Sequence, residues 1–328
     1  MTKLTSPHDK FFRETWSRKE VIQSFLEHQI PVEIRDCLNL KSLHLEKDSF
    51  INTQLKSYYS DMLYSLETRE EKPIQLYLLF EHKSYPDGNI FLQLLWYMLQ
   101  ILEAEYKQNR VLIPVLPFVV YHGQQTWQLK PAFQDVFDLP EALKPYVLNF
   151  QPVLCDLTSL NDEDIVGQAL ARVTLLTLKH IFDSNLPEQL PKILGLLNTF
   201  TEKETVLEFL HVVLRYVSSA SNVDHEHLKQ AVETALPQIG ESTMATLAEQ
   251  WIAEGEQRGY QKGESMAAKE AVLSALKVKY AVIPSKITQF VNNTPDVARL
   301  KKMLNEVIRS TSLASFEVWL ERYPEYRR

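Results

Sequence analysis

The eleven residues Gln75–Tyr85, QLYLLFEHKSY, constrain the fold of this chain more than any other stretch. Side chains alternate along a strand, so an extended reading places Tyr77, Leu79, Glu81 and Lys83 on one face and Leu78, Phe80 and His82 on the other. A run this apolar should be buried. Yet it ends with a carboxylate and an ammonium two residues apart on one face, a pairing that needs a reason.

Neighbouring segments build a core around that strand. Ser60–Leu66 (SDMLYSL) and Ile74–Lys83, joined by the polar turn TREEKP, predict a β-hairpin. The turn residues Pro86, Asp87, Gly88 and Asn89 introduce a helix over Ile90–Tyr106, and Leu112–Gly123 is a β-rich run whose prolines suit a strand's start better than its middle. Upstream, Ser6-Pro7 ahead of an amphipathic segment predicts one helix over Asp9–Phe25, and Pro31 followed by VEIRDCLNL a second. Beyond Leu157 the apolar residues recur at i, i+3, i+4 in segments such as TVLEFLHVVLRYV, the spacing of amphipathic helices. The expected architecture is an α/β domain over residues 1–158, a mixed sheet flanked by helices, followed by an all-helical region over 159–328.

Composition narrows the class. The chain has 328 residues, 45% hydrophobic and 23% charged, enough for two domains of a folded protein. Its longest apolar windows, such as Ile90–Leu99, fall short of the roughly 20 residues of a membrane span. The start, MTKLTSPHDKFFRE, lacks the apolar region of a signal peptide, so a cytoplasmic location without membrane contact is expected. Cys37 and Cys155 stand in unrelated contexts, support neither a disulfide nor a zinc site, and are expected to be buried packing residues. The net charge is −7 and neither half of the chain carries a basic excess, which counts against a nonspecific nucleic-acid coat. An enzyme that meets phosphate through a bound cation remains compatible with that charge.

The hairpin supplies such chemistry. If its strands pair through the TREEKP turn, Asp61 comes beside Glu81, twenty residues away in sequence, and two carboxylates suit a hard cation such as Mg²⁺. Lys83, on the face of Glu81, would add a fixed positive charge near a phosphate oxygen, a set able to support phosphodiester hydrolysis. The plainer reading is a solvated surface ion pair. Gln93 and Tyr97, four apart on the following helix, share one helical face and extend the constellation.

Asp61, Glu81-x-Lys83 and Gln93-x-x-x-Tyr97 together resemble the PD-(D/E)XK nuclease superfamily, whose core runs α-β-β-β-α-β. More closely, PHDKFFRE, YSDMLY, LLFEHKSY, FLQLLWYM and PFVVYHGQQTW, in that order over residues 7–155, resemble the recombination-promoting nuclease and transposase-like family, Rpn. The resemblance implies a restriction-endonuclease-like core, Asp61 and Glu81 as metal ligands with the backbone carbonyl of His82 as a further one, and Lys83 as the catalytic lysine. It assigns Gln93 and Tyr97 to positioning of nucleotide or lysine. It further implies a DNA endonuclease dependent on Mg²⁺ or Mn²⁺, acting in recombination or mobile-element spread. Ser60 stands where the superfamily carries proline before the first acid, a departure that touches turn shape and not chemistry. The rival expectations are an inactive nuclease fold that binds DNA or protein, and an RNA-cleaving defence nuclease.

Other residues carry weaker signals. Asp9 and Glu14 are candidates for an additional acid, and Lys10, Arg13, Arg18 and Lys19 for contacts to the DNA backbone. His122 and Gly123 read as a turn with a partly exposed histidine, and Asp224–His227 (DHEH) as a solvated helix start, since His225 and His227 are poorly spaced for joint ligation. No phosphate-binding loop of the G-x-x-x-x-G-K-[ST] type occurs, so ATP-driven chemistry is not expected. Gly255, Gly259 and Gly263 repeat at four-residue spacing, either as a close helix–helix contact that would suit a homodimer or higher homo-oligomer, or as a polar connector.

Overall fold

The computed structural model of the protein describes residues 6–46, 62–109, 111–200, 202–238, 263–280, 283–294, 296–323 and 326. Helices α1 (Pro7–Trp16), α2 (Lys19–His28) and α3 (Val32–Cys37) lead into strand β1 (Leu38–Leu45). The expected hairpin forms next: β2 (Met62–Thr68) and β3 (Gln75–Lys83) pair antiparallel, with Met62 opposite Phe80 and Glu67 opposite Gln75. Helix α4 (Ile90–Asn109) then carries the chain across to β4 (Val115–Tyr121), parallel to β3, and β5 (Val153–Asp156) adds parallel to β4. A parallel neighbour requires such a crossover, whereas β1 and β2 pair antiparallel. The mixed sheet has the order β1-β2-β3-β4-β5, and its first four strands follow the expected α-β-β-β-α-β succession.

Both faces of β3 are covered, as its composition demands. Tyr77 and Leu79, with Leu63, Val119 and Tyr121 of the neighbouring strands, pack against Leu94, Tyr97, Met98 and Ile101 of α4. On the opposite face Phe80 stacks on Phe118 at 4.8 Å and meets Trp16 of α1 at 5.2 Å and Phe25 of α2 at 6.0 Å between ring centroids.

These contacts explain why one expected helix became two. In a continuous helix Trp16 and Phe25, nine residues apart, would point about 180° away from each other. Breaking the helix at Ser17 and Arg18, the latter extended (φ −84°, ψ 121°), lets both rings pack on Phe80. The second expected helix is likewise shorter, because from Leu38 the chain joins the sheet as β1.

The sheet unit also extends further than the sequence suggests. The chain divides into residues 1–240 and 241–328, not at 158. Helices α5 (Ala169–His180), α6 (Leu186–Gly195), α7 (Lys203–Ala220) and α8 (His225–Ala235) belong with the first unit, α5 packing on α2 and α7 on α1. The reason lies in α5, which buries nine of its twelve residues, Thr174, Thr177 and His180 among them. A helix buried nearly all round has to lie between other layers. Gly167, just ahead of it, has φ +117°, and a Cβ there would collide with Ser24 Oγ and stand 2.8 Å from the His28 ring; the α2–α5 junction therefore requires glycine.

The second unit contains helical residues 263–280 (α9), α10 (Ser285–Asn293), α11 (Val297–Arg309) and α12 (Leu313–Leu320). They enclose a separate core of Val272, Leu276, Ile287, Val291, Leu300, Met303, Val307, Phe316 and Leu320. Gly263 lies in α9; Gly255 and Gly259 lie outside the described residues. Cys155 is buried as expected, but Cys37, at the end of α3, is exposed. Among the described residues no helix is long and apolar enough to cross a membrane.

Candidate active site

The end of β3 and the first turns of α4 bring four of the expected residues into one network. Glu81 and Lys83 are nearly inaccessible, at 2% and 7% exposure, which removes the reading as a solvated surface pair. Lys83 Nζ lies 3.0 Å from Glu81 Oε1 and donates to Gln93 Oε1 at 2.7 Å and to Asp87 Oδ2 at 2.8 Å, which engages all three of its protons. The Gln93 amide donates to Glu81 Oε1 at 2.6 Å and also to the Tyr97 hydroxyl. Glu81 Oε2, by contrast, is buried without a hydrogen-bond partner. Burial alone would lower the Lys83 ammonium, but the charges of Glu81 and Asp87 and their hydrogen bonds outweigh it and push it up to about 12. Lys83 is therefore a fixed cation and not a base.

Asp87, which the sequence presents as a turn residue, is a further member of the network. Its Oδ1 accepts from Asn89 N–H at 2.9 Å and its backbone carbonyl from Ile90 N–H, so one residue both leads into α4 and holds Lys83. An acid four residues beyond the lysine and just ahead of a helix was the available signal.

Asp61 lies outside the described residues. Met62, the next residue in the chain, pairs with Phe80, which precedes Glu81. Among the described residues no group of three His, Cys, Asp or Glu side chains is arranged to hold a metal.

Within the described residues the motifs expected of the Rpn family fall on α1, β2, β3, α4 and β4, and the comparisons agree. The family model described as "Putative transposase, YhgA-like" matches residues 6–208. The recombination-promoting nuclease RpnC of Escherichia coli (strain K12) is 31% identical over 252 residues, 76% of this chain and 82% of RpnC. The chain belongs to the Rpn family. RpnA of the same strain is 26% identical over 255 residues, covering 77% of this chain and 86% of RpnA. The inactive recombination-promoting nuclease-like protein RpnE is 29% identical over 282 residues, 84% of this chain and 92% of RpnE. No solved structure matches this Rpn chain.

On the other face of the sheet this Rpn chain carries a histidine cluster. His122 is fully buried, not the partly exposed turn residue expected from VVYHG. Its Nδ1 donates to the Leu178 carbonyl at 3.1 Å, which leaves Nε2 to accept from His82 Nε2, 2.6 Å away. The His82 side chain thus points away from Glu81 and Lys83, with its Nδ1 3.5 Å from Asp9 Oδ1. His8 shares a hydrogen bond with the Tyr216 hydroxyl at 2.8 Å.

The remaining candidates are dispersed. Glu14 pairs with Arg215 and with Lys10, Arg18 lies 3.5 Å from Glu208 and over the Phe209 ring, and Lys19 is exposed. Asp224 caps α8 by accepting from His227 N–H at 2.9 Å, as a solvated helix start should.

The cluster makes stability depend on pH. Burial, then the charge of His82, lower His8 to about 4 against the opposing pull of Asp9, and burial lowers His122 well below its ordinary value. Both are neutral when folded, whereas unfolded histidine protonates near ~6.5, so the unfolded state binds more protons below that pH. Stability is expected to be full above it and to fall as pH drops toward 4. Burial opposes ionisation of Asp9, but the neighbouring His82 ring and the hydrogen bond from Ser6 N–H hold it down to about 2, which adds a further loss at still lower pH. The thermal midpoint should fall between pH 7 and pH 5, by about 3 °C or more per pH unit. His8→Phe should flatten that slope, and an unchanged slope would place the titration elsewhere.

Proposed function

We propose that this chain is a DNA endonuclease of the PD-(D/E)XK type, dependent on Mg²⁺ or Mn²⁺, that hydrolyses phosphodiester bonds in recombination or mobile-element movement. The observation that carries the reading is the buried Glu81–Lys83–Gln93–Tyr97 network, complete except at Glu81 Oε2. A buried carboxylate oxygen without a partner is costly, and a hard divalent cation is the partner that suits it. Glu81 would hold the cation together with Asp61 and the His82 carbonyl, and the strand register next to Asp61 supports its place in that set.

When bound, the cation would supply Lewis acidity and charge neutralisation for hydrolysis. The side chains do the rest. Lys83 presents its charge to a phosphoryl oxygen, Gln93 keeps Lys83 and Glu81 in register, Tyr97 fixes Gln93, and Asp87 keeps the ammonium at the end of β3. The names of RpnC and RpnA, recombination-promoting nucleases, favour DNA as the substrate. The likeness to RpnE, named inactive, supports a second reading as a nuclease fold that only binds. The intact Glu81–Lys83 pair favours the enzyme.

Supercoiled plasmid incubated with the wild type and with Asp61→Ala, in Mg²⁺, Mn²⁺ or chelator, tests the proposal. Nicked and linear products are expected from the wild type only with metal, and not from the variant. Binding without cutting in either metal would favour the inactive reading, and preferential cutting of structured RNA would replace the substrate.

A further inference from the structure

Charge is distributed unevenly along the chain once it is divided where the structure divides it. Of the 35 Lys and Arg, 13 fall in residues 241–328, against 11 of the 42 Asp and Glu, so this unit carries +2 while residues 1–240 carry −9. Within it, residues 263–328 hold 11 Lys and Arg against 7 Asp and Glu. An amphipathic helix concentrates the excess. Helix α11 buries Leu300, Met303 and Val307, and its exposed arc consists of Ala298, Lys301, Lys302, Asn305, Ile308 and Arg309, three cations and no carboxylate.

Other cations of this unit have structural tasks. Lys279 Nζ donates to the Val307 and Ile308 carbonyls at 2.7 Å each, closing the end of α11. Arg299 and Lys286 lie over the rings of Tyr323 and Tyr326 at 4.8 and 4.7 Å. On the exposed arc Lys301 is 2.8 Å from Glu264, a surface pair of the weak, exchangeable kind.

We infer that the exposed arc of α11 is a docking face for the phosphate backbone of duplex DNA, independent of base sequence. Lys302 and Arg309, seven residues apart on one face, are separated by roughly 10 Å along the helix axis. A DNA strand presents a phosphate about every 3.4 Å, so the two can meet one strand about three phosphates apart, with Asn305 between them as a neutral hydrogen-bonding group. The basic unit would bring an acidic catalytic unit to a polyanion that the latter's own net charge repels. The choice of DNA rests on the endonuclease reading; the cationic face does not.

The test measures binding of full-length protein to a labelled duplex of about 30 base pairs by fluorescence anisotropy, in chelator and over a series of KCl concentrations. Neutralising the arc with Lys301→Gln, Lys302→Gln and Arg309→Gln together should reduce the slope of log K against log salt by about 1.8, the share of the two phosphate contacts of Lys302 and Arg309, or by about 2.7 where Lys301 exchanges Glu264 for a third phosphate, and weaken binding at about 0.1 M salt at least tenfold. The charge-preserving Lys301→Arg, Lys302→Arg pair should retain both, and all variants should melt like the wild type, since the substituted side chains are exposed. An unchanged slope in the neutralised protein overturns the inference, as does a wild type that does not bind, or loss of binding to anionic vesicles with DNA binding intact. A wild type that binds with the expected slope but never cuts removes the endonuclease reading and leaves this face standing.

Discussion

Glu81→Gln is expected to reduce metal-dependent nicking by about two to three orders of magnitude while leaving the fold intact. The amide oxygen can accept from Lys83 and Gln93 as Oε1 does, so the hydrogen bonds that tie β3 to α4 survive. The change falls on Oε2, the buried oxygen without a partner, where an N–H group would face the cation in place of a lone pair. A readout independent of cutting follows from linkage. Whatever binds only the folded state raises its melting point, so Mg²⁺ or Mn²⁺ should stabilise the wild type and not the variant. Equal stabilisation of both proteins would remove Glu81 from the metal site even if activity were lost.

Lys83→Met should have the largest effect on stability. It removes the ammonium from between two carboxylates whose side chains are only 3% and 17% exposed, and leaves a buried Glu81 and a half-buried Asp87 with no cation between them. Breaking a buried charge set by deleting one partner costs about 3–5 kcal/mol, or roughly 10 °C in melting temperature for a unit of this size. Lys83→Arg restores the charge but not the geometry, because a planar fork cannot replace the three-way contact of a compact ammonium. It should regain much of the stability and little of the cutting. Asp87→Asn should be milder than Lys83→Met, since an amide oxygen can still accept from Nζ at the Oδ2 position. If Lys83→Met melted like the wild type, solvent would have to reach the two carboxylates, against their observed burial.

How much of this was legible without coordinates depends on the range of the contacts involved. The alternation in QLYLLFEHK assigned residues to the two faces of β3 before their partners were known, because strand periodicity is a local property. The hairpin follows from two apolar runs and a polar turn. Gln93 reaches Glu81 and Lys83, and Tyr97 reaches Gln93, because the four-residue helical spacing and the short connection after β3 leave few alternatives. The family membership could likewise be read from motifs in order.

What only the tertiary structure decided involves segments distant in sequence. His122 is buried because Leu178, 56 residues away, supplies a carbonyl, and His8 is half-buried against Tyr216, 208 residues away, which supplies a hydroxyl. The helix break at Ser17 answers to Phe80, and the boundary at 240 to the packing of α5 and α7 on α2 and α1. Asp87 changed from a turn former to a partner of Lys83 once α4 was placed. Sequence periodicity says which side of an element is apolar, and that is local information. Which surface covers it, and which buried charge meets which, depends on contacts between segments far apart in the chain, and these exist only once it has folded.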